Sequence, residues 1–127
     1  MKNIIALPFA ALMLVSVQVS ALCLNISESF SGVIDPKGQA TVHGPFTITG
    51  GGGCSGSNIN AMVSVGGAGR TPRITIEREV GSSWQAVASN PLSPSVSWLG
   101  PFGTYRVRLD NPDAVSKVYS GTVRYGR

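Results

Sequence analysis

Apolar and polar residues alternate one by one along most of this chain, and glycine- or proline-rich turns separate the alternating runs. In the run 73–80, for example, Ile74 and Ile76 alternate with Thr75 and Glu77. A period of two puts one face of a strand in the core and the other in solvent. Further runs of this kind are 30–34, 40–48 (with an expected break at Gly44-Pro45), 59–65, 83–88, 95–99, 104–110 and 119–125. The pattern predicts an all-β protein, an antiparallel β-sandwich of seven to eight short strands that is Ig-like or jelly-roll-like.

Turn-forming residues lie between these runs. The tetrapeptide at 35–38, Asp-Pro-Lys-Gly, predicts a tight turn, and 66–69 and 81–82 each predict the turn of a hairpin.

If 73–80 and 104–110 are neighbouring strands, two glutamates can pair with two arginines across an exposed sheet face. Pairs of that kind contribute about 0.2–1 kcal/mol each and mainly help to set register. The four residues are Glu77, Glu79, Arg106 and Arg108.

The first part of the chain has the pattern of a secretory signal peptide. Lys2 precedes the apolar run 4–17, and a small-residue cleavage motif ends at Ala21. The apolar run is shorter than the roughly 20 residues that cross a bilayer. We therefore predict a signal peptide over 1–21, a single secreted or periplasmic β-sandwich domain over 22–127 of bacterial character, and no stable membrane insertion after cleavage.

The chain has two cysteines, Cys23 and Cys54, and both follow the predicted cleavage site. In an oxidising compartment an isolated pair is most simply a disulfide bond. The loop between them would contribute about 3.7 kcal/mol by the chain-entropy relation. A metal or redox pair is less favoured because the C-x-x-C spacing is absent. Leu22 precedes Cys23 where a lipoprotein signal needs a small residue, so no lipid anchor is expected.

Charge and histidine content argue against two functional classes. The net charge is +4, and the basic residues are scattered rather than clustered, so no nucleic-acid partner is expected. The single histidine, His43, would need a distant Asp35 or Asp110 to form a triad, and no G-x-S-x-G motif occurs. Glu77 and Glu79 lie on one strand face, flanked by arginine, and are interpreted as surface residues. We predict no catalytic residue and no cofactor.

Two loops offer oxygen or amide groups to a ligand, and each has a simpler interpretation. Asp110, Asn111 and Asp113 supply three side chains, fewer than calcium requires, so a turn closed by Asx hydrogen bonds is favoured over a metal site. The glycine run beginning at Gly50 lacks the Lys-Ser/Thr ending and the helix of a phosphate-binding loop. It is predicted to be a loop held at one point by the disulfide.

The candidates for binding lie in loops and on one strand. Phe102 stands between two glycines, and Trp98 lies on a predicted strand, where packing is the commoner role. The candidate binding residues are Gly50, Gly51, Gly52, Gly53, Phe102 and Trp98.

Two family resemblances cover different halves of the chain. Cys23, Phe30-Ser31-Gly32 and Thr47-Ile48-Thr49 leading to Cys54 resemble the N-terminal half of chaperone–usher pilin and spore-coat-U-type subunits. That resemblance implies assembly in which a neighbouring subunit donates a strand. The second half is similar to pre-peptidase C-terminal-type modules, through Ser95-Val96-Ser97-Trp98 and the strand Gly103-Thr104-Tyr105-Arg106-Val107.

These features together predict a non-catalytic binding module. Its partner would be a protein or a cell-envelope component that meets its loops or a sheet edge. One alternative is a structural, fimbria-like subunit that self-associates by strand exchange. Another is an inhibitor or immunity protein of a secreted enzyme.

Overall fold

The computed structural model describes residues 23–51, 53–66 and 69–126. The predicted signal peptide lies outside these ranges, as does Gly52. The described residues form eight strands: β1 (Asn25–Ile34), β2 (Gln39–Ile48), β3 (Ser57–Val65), β4 (Arg73–Val80), β5 (Ser83–Asn90), β6 (Ser95–Gly100), β7 (Gly103–Asp110) and β8 (Lys117–Gly126). Within the same ranges, no helix has the length and apolar character needed to cross a membrane.

The eight strands form two antiparallel four-stranded sheets. Sheet A has the order β1-β8-β3-β6, and sheet B has the order β2-β7-β4-β5. Every connection except β4–β5 crosses from one sheet to the other, so the chain resembles a long hairpin folded over on itself. This is the jelly-roll arrangement, and it confirms the predicted all-β sandwich.

Pairing along the chain explains which predicted turns form hairpins. Val80 pairs with Ser83, so the turn at 81–82 closes the β4–β5 hairpin as predicted. The predicted hairpin at 66–69 is wrong, because this segment joins β3 in sheet A to β4 in sheet B. The turn at 35–38 is confirmed by a hydrogen bond from the Gly38 amide to the Asp35 carbonyl at 2.9 Å.

Strand β2 is continuous through the expected break but irregular. Its register against β7 shifts on both sides of His43. Gly44 has a φ of 116°, and a Cβ atom there would come within 2.9 Å of Arg106 Cα. Glycine is needed at this position because the two backbones approach so closely.

The core lies between the sheets and is built from the alternating apolar positions. Most apolar side chains at the alternating positions are buried on both sheets, as the period of two requires. The core consists of Ile34, Phe46, Ile48, Ile59, Ala61, Val63, Ile74, Ile76, Val96, Tyr105, Val107, Leu109, Tyr119, Val123 and Tyr125.

The disulfide predicted between Cys23 and Cys54 is present. It joins Cys23, two residues ahead of β1, to the β2–β3 connection and lies against Gly126 at the end of β8. The last strand β8 has β1 on one side and β3 on the other, both from its own chain. The described sheet edges are therefore β1 and β6 in sheet A, and β2 and β5 in sheet B.

Candidate functional site: the polar face of sheet A

The outward side of sheet A carries mainly small polar side chains. Alternation along β1, β8, β3 and β6 turns these residues to solvent, and we call this surface the polar face. Its residues are Asn25, Ser27, Ser29, Ser31, Val33, Asn58, Asn60, Met62, Ser64, Ser95, Ser97, Leu99, Val118, Ser120, Thr122 and Arg124. Among these outward positions only Arg124 is charged, and hydroxyl and amide groups dominate.

Two shallow depressions follow one another along the strands of the polar face. The first, which we call the amide pocket, has a volume of about 380 Å³. The second, the hydroxyl groove, has a volume of about 620 Å³. The amide pocket is lined by Asn25, Ile26, Ser27, Asn58, Asn60 and Arg124. The hydroxyl groove is lined by Ser29, Phe30, Ser31, Met62, Val63, Ser64, Ser120, Gly121 and Thr122.

Strand register sets the geometry of the amide pocket. Arg124 lies in β8, opposite Ser27 on one side and Asn60 on the other. The Ser97 hydroxyl donates a hydrogen bond of 2.7 Å to Asn60 Oδ1. Because that bond occupies the amide oxygen, the Asn60 Nδ2 donors remain oriented for another acceptor.

The floor of the hydroxyl groove depends on Gly121. A Cβ atom there would come within 2.2 Å of the Met62 carbonyl oxygen and 2.6 Å of the Phe30 ring. The absence of a side chain lets Phe30 and the β3 backbone close beneath the groove. Met62 is 59 % exposed and contributes an apolar side chain to the groove.

The outward side of sheet B is charged, and four of its charged side chains form ion pairs. Glu77 accepts hydrogen bonds from Arg106 Nε and Arg108 Nη1, both at 2.7 Å. Arg108 also pairs with Asp110 at 3.3 Å, and the Arg106 guanidinium lies 4.3 Å from the centroid of the Trp84 ring. We call these five residues the ion-pair network.

The predicted pairing across β4 and β7 is confirmed for Glu77. The prediction that this glutamate lies on an exposed sheet face is wrong. Glu77 takes both arginines, but it is only 4 % exposed and is not a surface residue. The long arginine side chains and the neighbouring Trp84 cover it on what would otherwise be an open sheet face. Glu79 instead lies opposite Trp84 in the β4–β5 ladder and is exposed.

The loop candidates from the sequence have structural contacts of their own. Gly50 has a φ of 81°, and a Cβ atom there would be 2.5 Å from Phe102 Cζ, so the Phe102 ring covers this glycine. Gly53 donates a hydrogen bond to the Gly50 carbonyl at 3.0 Å, and Gly51 donates one to Thr49 Oγ1 at 3.3 Å. The structure thus brings Phe102 and the glycine loop together at one end of the sandwich.

Trp98 is partly buried and packs against the core. Its Nε1 donates a hydrogen bond to the Tyr105 hydroxyl at 3.4 Å. The Tyr105 hydroxyl in turn donates a hydrogen bond to the Pro101 carbonyl. This chain of contacts fixes the β6–β7 turn, which matches the packing role expected for a tryptophan on a strand.

His43 lies near none of the predicted triad partners. Its Nε2 is 3.6 Å from Glu28 Oε1, the same oxygen that accepts a hydrogen bond of 2.9 Å from the Tyr125 hydroxyl. The imidazole also packs against Phe46, with the ring centroids 5.3 Å apart. The structure therefore places the histidine in an aromatic cluster at the edge where β1 and β2 meet.

The loop that carries Asp110, Asn111 and Asp113 is closed by the Asx hydrogen bond. The Asp113 amide donates to Asn111 Oδ1 at 3.0 Å. The Asp113 carboxylate is held by Lys117 Nζ at 2.7 Å and by Arg70 Nε at 3.0 Å. Hydrogen bonds from Lys117, then from the Arg70 backbone and side chain, hold the pKa of Asp113 well below its usual range.

Comparison with known proteins yields a fold relationship and no family. No family model matches the chain, and no curated protein matches it. The crystal structure of the Yersinia pseudotuberculosis-derived mitogen is similar at a TM-score of 0.56 and 16% identity, covering 81% of this chain and 86% of that one. At that identity the similarity shows the fold alone.

A second solved structure comes from Bacillus endospore appendages, described as a novel family of disulfide-linked pili. It shares 16% identity, covers 87% of this chain and 96% of that one, and has a TM-score of 0.37. The resemblances to pilin-type subunits and to pre-peptidase C-terminal-type modules stay predictions.

Proposed function

We propose that this chain is a secreted or periplasmic binding module without a catalytic centre, and that it meets a protein or cell-envelope partner through the polar face. The observation that carries this proposal is the difference between the two outward surfaces. Sheet B closes its face with the ion-pair network, whereas the polar face leaves its amides and hydroxyls open in two depressions.

The sheet face is favoured over the loops because the loop candidates already have partners. The Phe102 ring covers Gly50, and the Trp98 indole donates a hydrogen bond to the Tyr105 hydroxyl. By contrast, the serines that line the hydroxyl groove are exposed on three adjacent strands. Polar groups without fixed partners on a rigid sheet can bind a ligand with little loss of conformational freedom.

The compartment is proposed from two features that agree. The N-terminal pattern is that of a signal peptide, and the Cys23–Cys54 disulfide is of the kind that persists in oxidising compartments. Export would bring the polar face into contact with envelope components, which are the partners proposed here.

Capture of an envelope fraction tests the proposal. The oxidised protein is immobilised and exposed to purified cell-wall and outer-membrane fractions. Ser120→Trp fills the hydroxyl groove and is expected to abolish retention of the captured component, while Ser89→Trp, an exposed site on sheet B, is expected to leave it unchanged. Equal retention by both variants would overturn the assignment of the polar face.

Light scattering with size-exclusion chromatography separates this proposal from the strand-exchange alternative. A monomer at every concentration is expected, because β8 already has partners from its own chain on both sides. A ladder of oligomers that grows with concentration would favour the structural subunit instead.

Hydrolase activity that is lost in His43→Ala would overturn the absence of a catalytic centre.

A further inference from the structure

The side chains of the amide pocket suit a ligand rich in hydroxyl groups. Three asparagines and Ser27 supply both donors and acceptors, and every saccharide hydroxyl needs both. The hydrogen bond from Ser97 engages the Asn60 amide oxygen, so part of the pocket is oriented before a ligand arrives. Preorganised groups of this kind give specificity at low entropic cost.

Arg124 adds a single positive charge to this pocket. Its neighbours across the sheet are Ser27 and Asn60, which are neutral, and the described residues of the polar face include no carboxylate. The planar guanidinium presents paired donors that match a carboxylate in two parallel hydrogen bonds. A ligand that brings one carboxylate among many hydroxyls is therefore complementary in charge to this surface.

The hydroxyl groove extends the site along the strands. From Ser27 to Ser31 on β1 the surface continues for about 13 Å at the usual strand rise. Exposed Met62 offers an apolar contact for the C–H face of a sugar ring, and hydroxyls surround it. The surface is thus long and shallow, which fits an extended polymer better than a compact small molecule.

A saccharide fits this surface better than a protein does. Protein interfaces are enriched in aromatic residues and depleted of serine, and their binding energy is concentrated in well-packed anchor pockets. The outward positions of the polar face carry many serines and no aromatic ring, and its depressions are shallow.

We propose that the polar face binds an acidic polysaccharide, with a sugar carboxylate on the Arg124 guanidinium and the neighbouring hydroxyls on Asn58 and Asn60. The next sugars along the polymer lie in the hydroxyl groove. This inference rests on the proposed function, because it names the partner class for the same surface.

A pair of polymers that differ only in charge tests it. Polygalacturonate and its methyl ester share one backbone, and affinity electrophoresis measures binding of the intact protein to each. The wild type is expected to bind the acid at least about tenfold more tightly than the ester, as one charge-assisted contact implies. Equal affinity for the two polymers, or binding to neither, would overturn the inference.

Variants assign the effect to the pocket. Arg124→Gln is expected to lose the preference for the acid, and Arg124→Lys to keep only part of it, since lysine lacks the planar fork. Asn58→Ala is expected to weaken binding to both polymers. Arg73→Gln removes the same charge from sheet B, and this variant is expected to bind both polymers as the wild type does. If it lost the preference for the acid as fully as Arg124→Gln, the preference would come from net charge alone, and the assignment to the amide pocket would be wrong.

The two proposals fail separately. If neither polymer binds, but Ser120→Trp still abolishes capture of an envelope component, the polar face remains the binding surface and the acidic polysaccharide is the wrong ligand. If Ser120→Trp has no effect in either assay, both proposals are wrong.

Discussion

Sheet A and sheet B each turn one face to solvent, and the two faces are held by different forces. On sheet B, Glu77 is buried beneath two arginines, one of which lies over Trp84. On sheet A, the outward positions carry a single charge, and order comes from the backbone ladders and the nearby disulfide. The contrast teaches that an amphipathic strand pattern does not show whether its polar side is a closed structural surface or an open one.

The largest effect should come from breaking the ion-pair network. Glu77→Gln leaves two arginines close to a group that no longer balances their charge, so we expect the free energy of unfolding to fall by about 3 to 5 kcal/mol. Denaturant unfolding measures the loss. Glu79→Gln is the matched control on the same strand and should change stability little, because Glu79 is exposed. Similar losses in the two variants would show that burial of Glu77 contributes nothing.

The disulfide should matter nearly as much, and on the side of sheet A. Replacing both Cys23 and Cys54 with serine opens a link across 31 positions, which the chain-entropy relation values at about 3.7 kcal/mol. Because the link lies at the end of β1 and against β8, amide hydrogen exchange should rise first in those strands. Faster exchange confined to β4 and β5 would contradict the assignment of the disulfide to sheet A.

Acid should weaken the contacts of the Asp113 carboxylate with Lys117 and Arg70, and should spare the polar face, whose outward positions carry no carboxylate. The pKa of Asp113 is lowered in the folded protein, so its contribution is present above the unfolded value of about 3.9 and is lost as the pH falls below it. Asp113→Asn lacks this contribution at every pH. The difference in Tm between wild type and variant should therefore shrink from pH 6 to pH 2, and a difference that stays constant would be inconsistent with the Lys117 and Arg70 contacts.

The smallest effect is expected from adding a charge to the polar face. Ser29→Glu should change the free energy of unfolding by less than about 0.5 kcal/mol, as is usual at exposed sites. The same charge at Ala86, which pairs directly with Glu77 in sheet B, should destabilise by more, because like charges opposite one another repel. Thermal unfolding of the two variants makes the comparison, and equal shifts would remove the distinction between the faces.

Local pattern predicted much of the fold and little of the site. Alternation identified the inward side chains of β4, β7 and β8, because a period of two depends only on neighbours in the chain. Isolation of the cysteine pair likewise predicted the disulfide. The same alternation put Glu77 on the correct side of its strand but did not predict its burial, since burial depends on which side chains the adjacent strands bring over it.

The polar face was missed for a related reason. Its serines and asparagines are spread over β1, β3, β6 and β8, and in each strand alone they look like ordinary solvent-exposed positions. The signal available in the sequence was the lack of charge at alternate positions in 25–31 and 58–64. That signal gains meaning only when the strands are known to be neighbours.

The amino-acid sequence by itself determined the β class, the inward and outward sides of most strands and the cysteine pair. Tertiary structure decided the jelly-roll order, the burial of Glu77 and the joining of four strands into one polar surface with a single charge. The physical reason is sequence separation: the Tyr125 hydroxyl donates a hydrogen bond to Glu28, and the two residues are 97 positions apart in the chain. A local period says which side a residue faces, but pairing between distant strands decides what lies beside it.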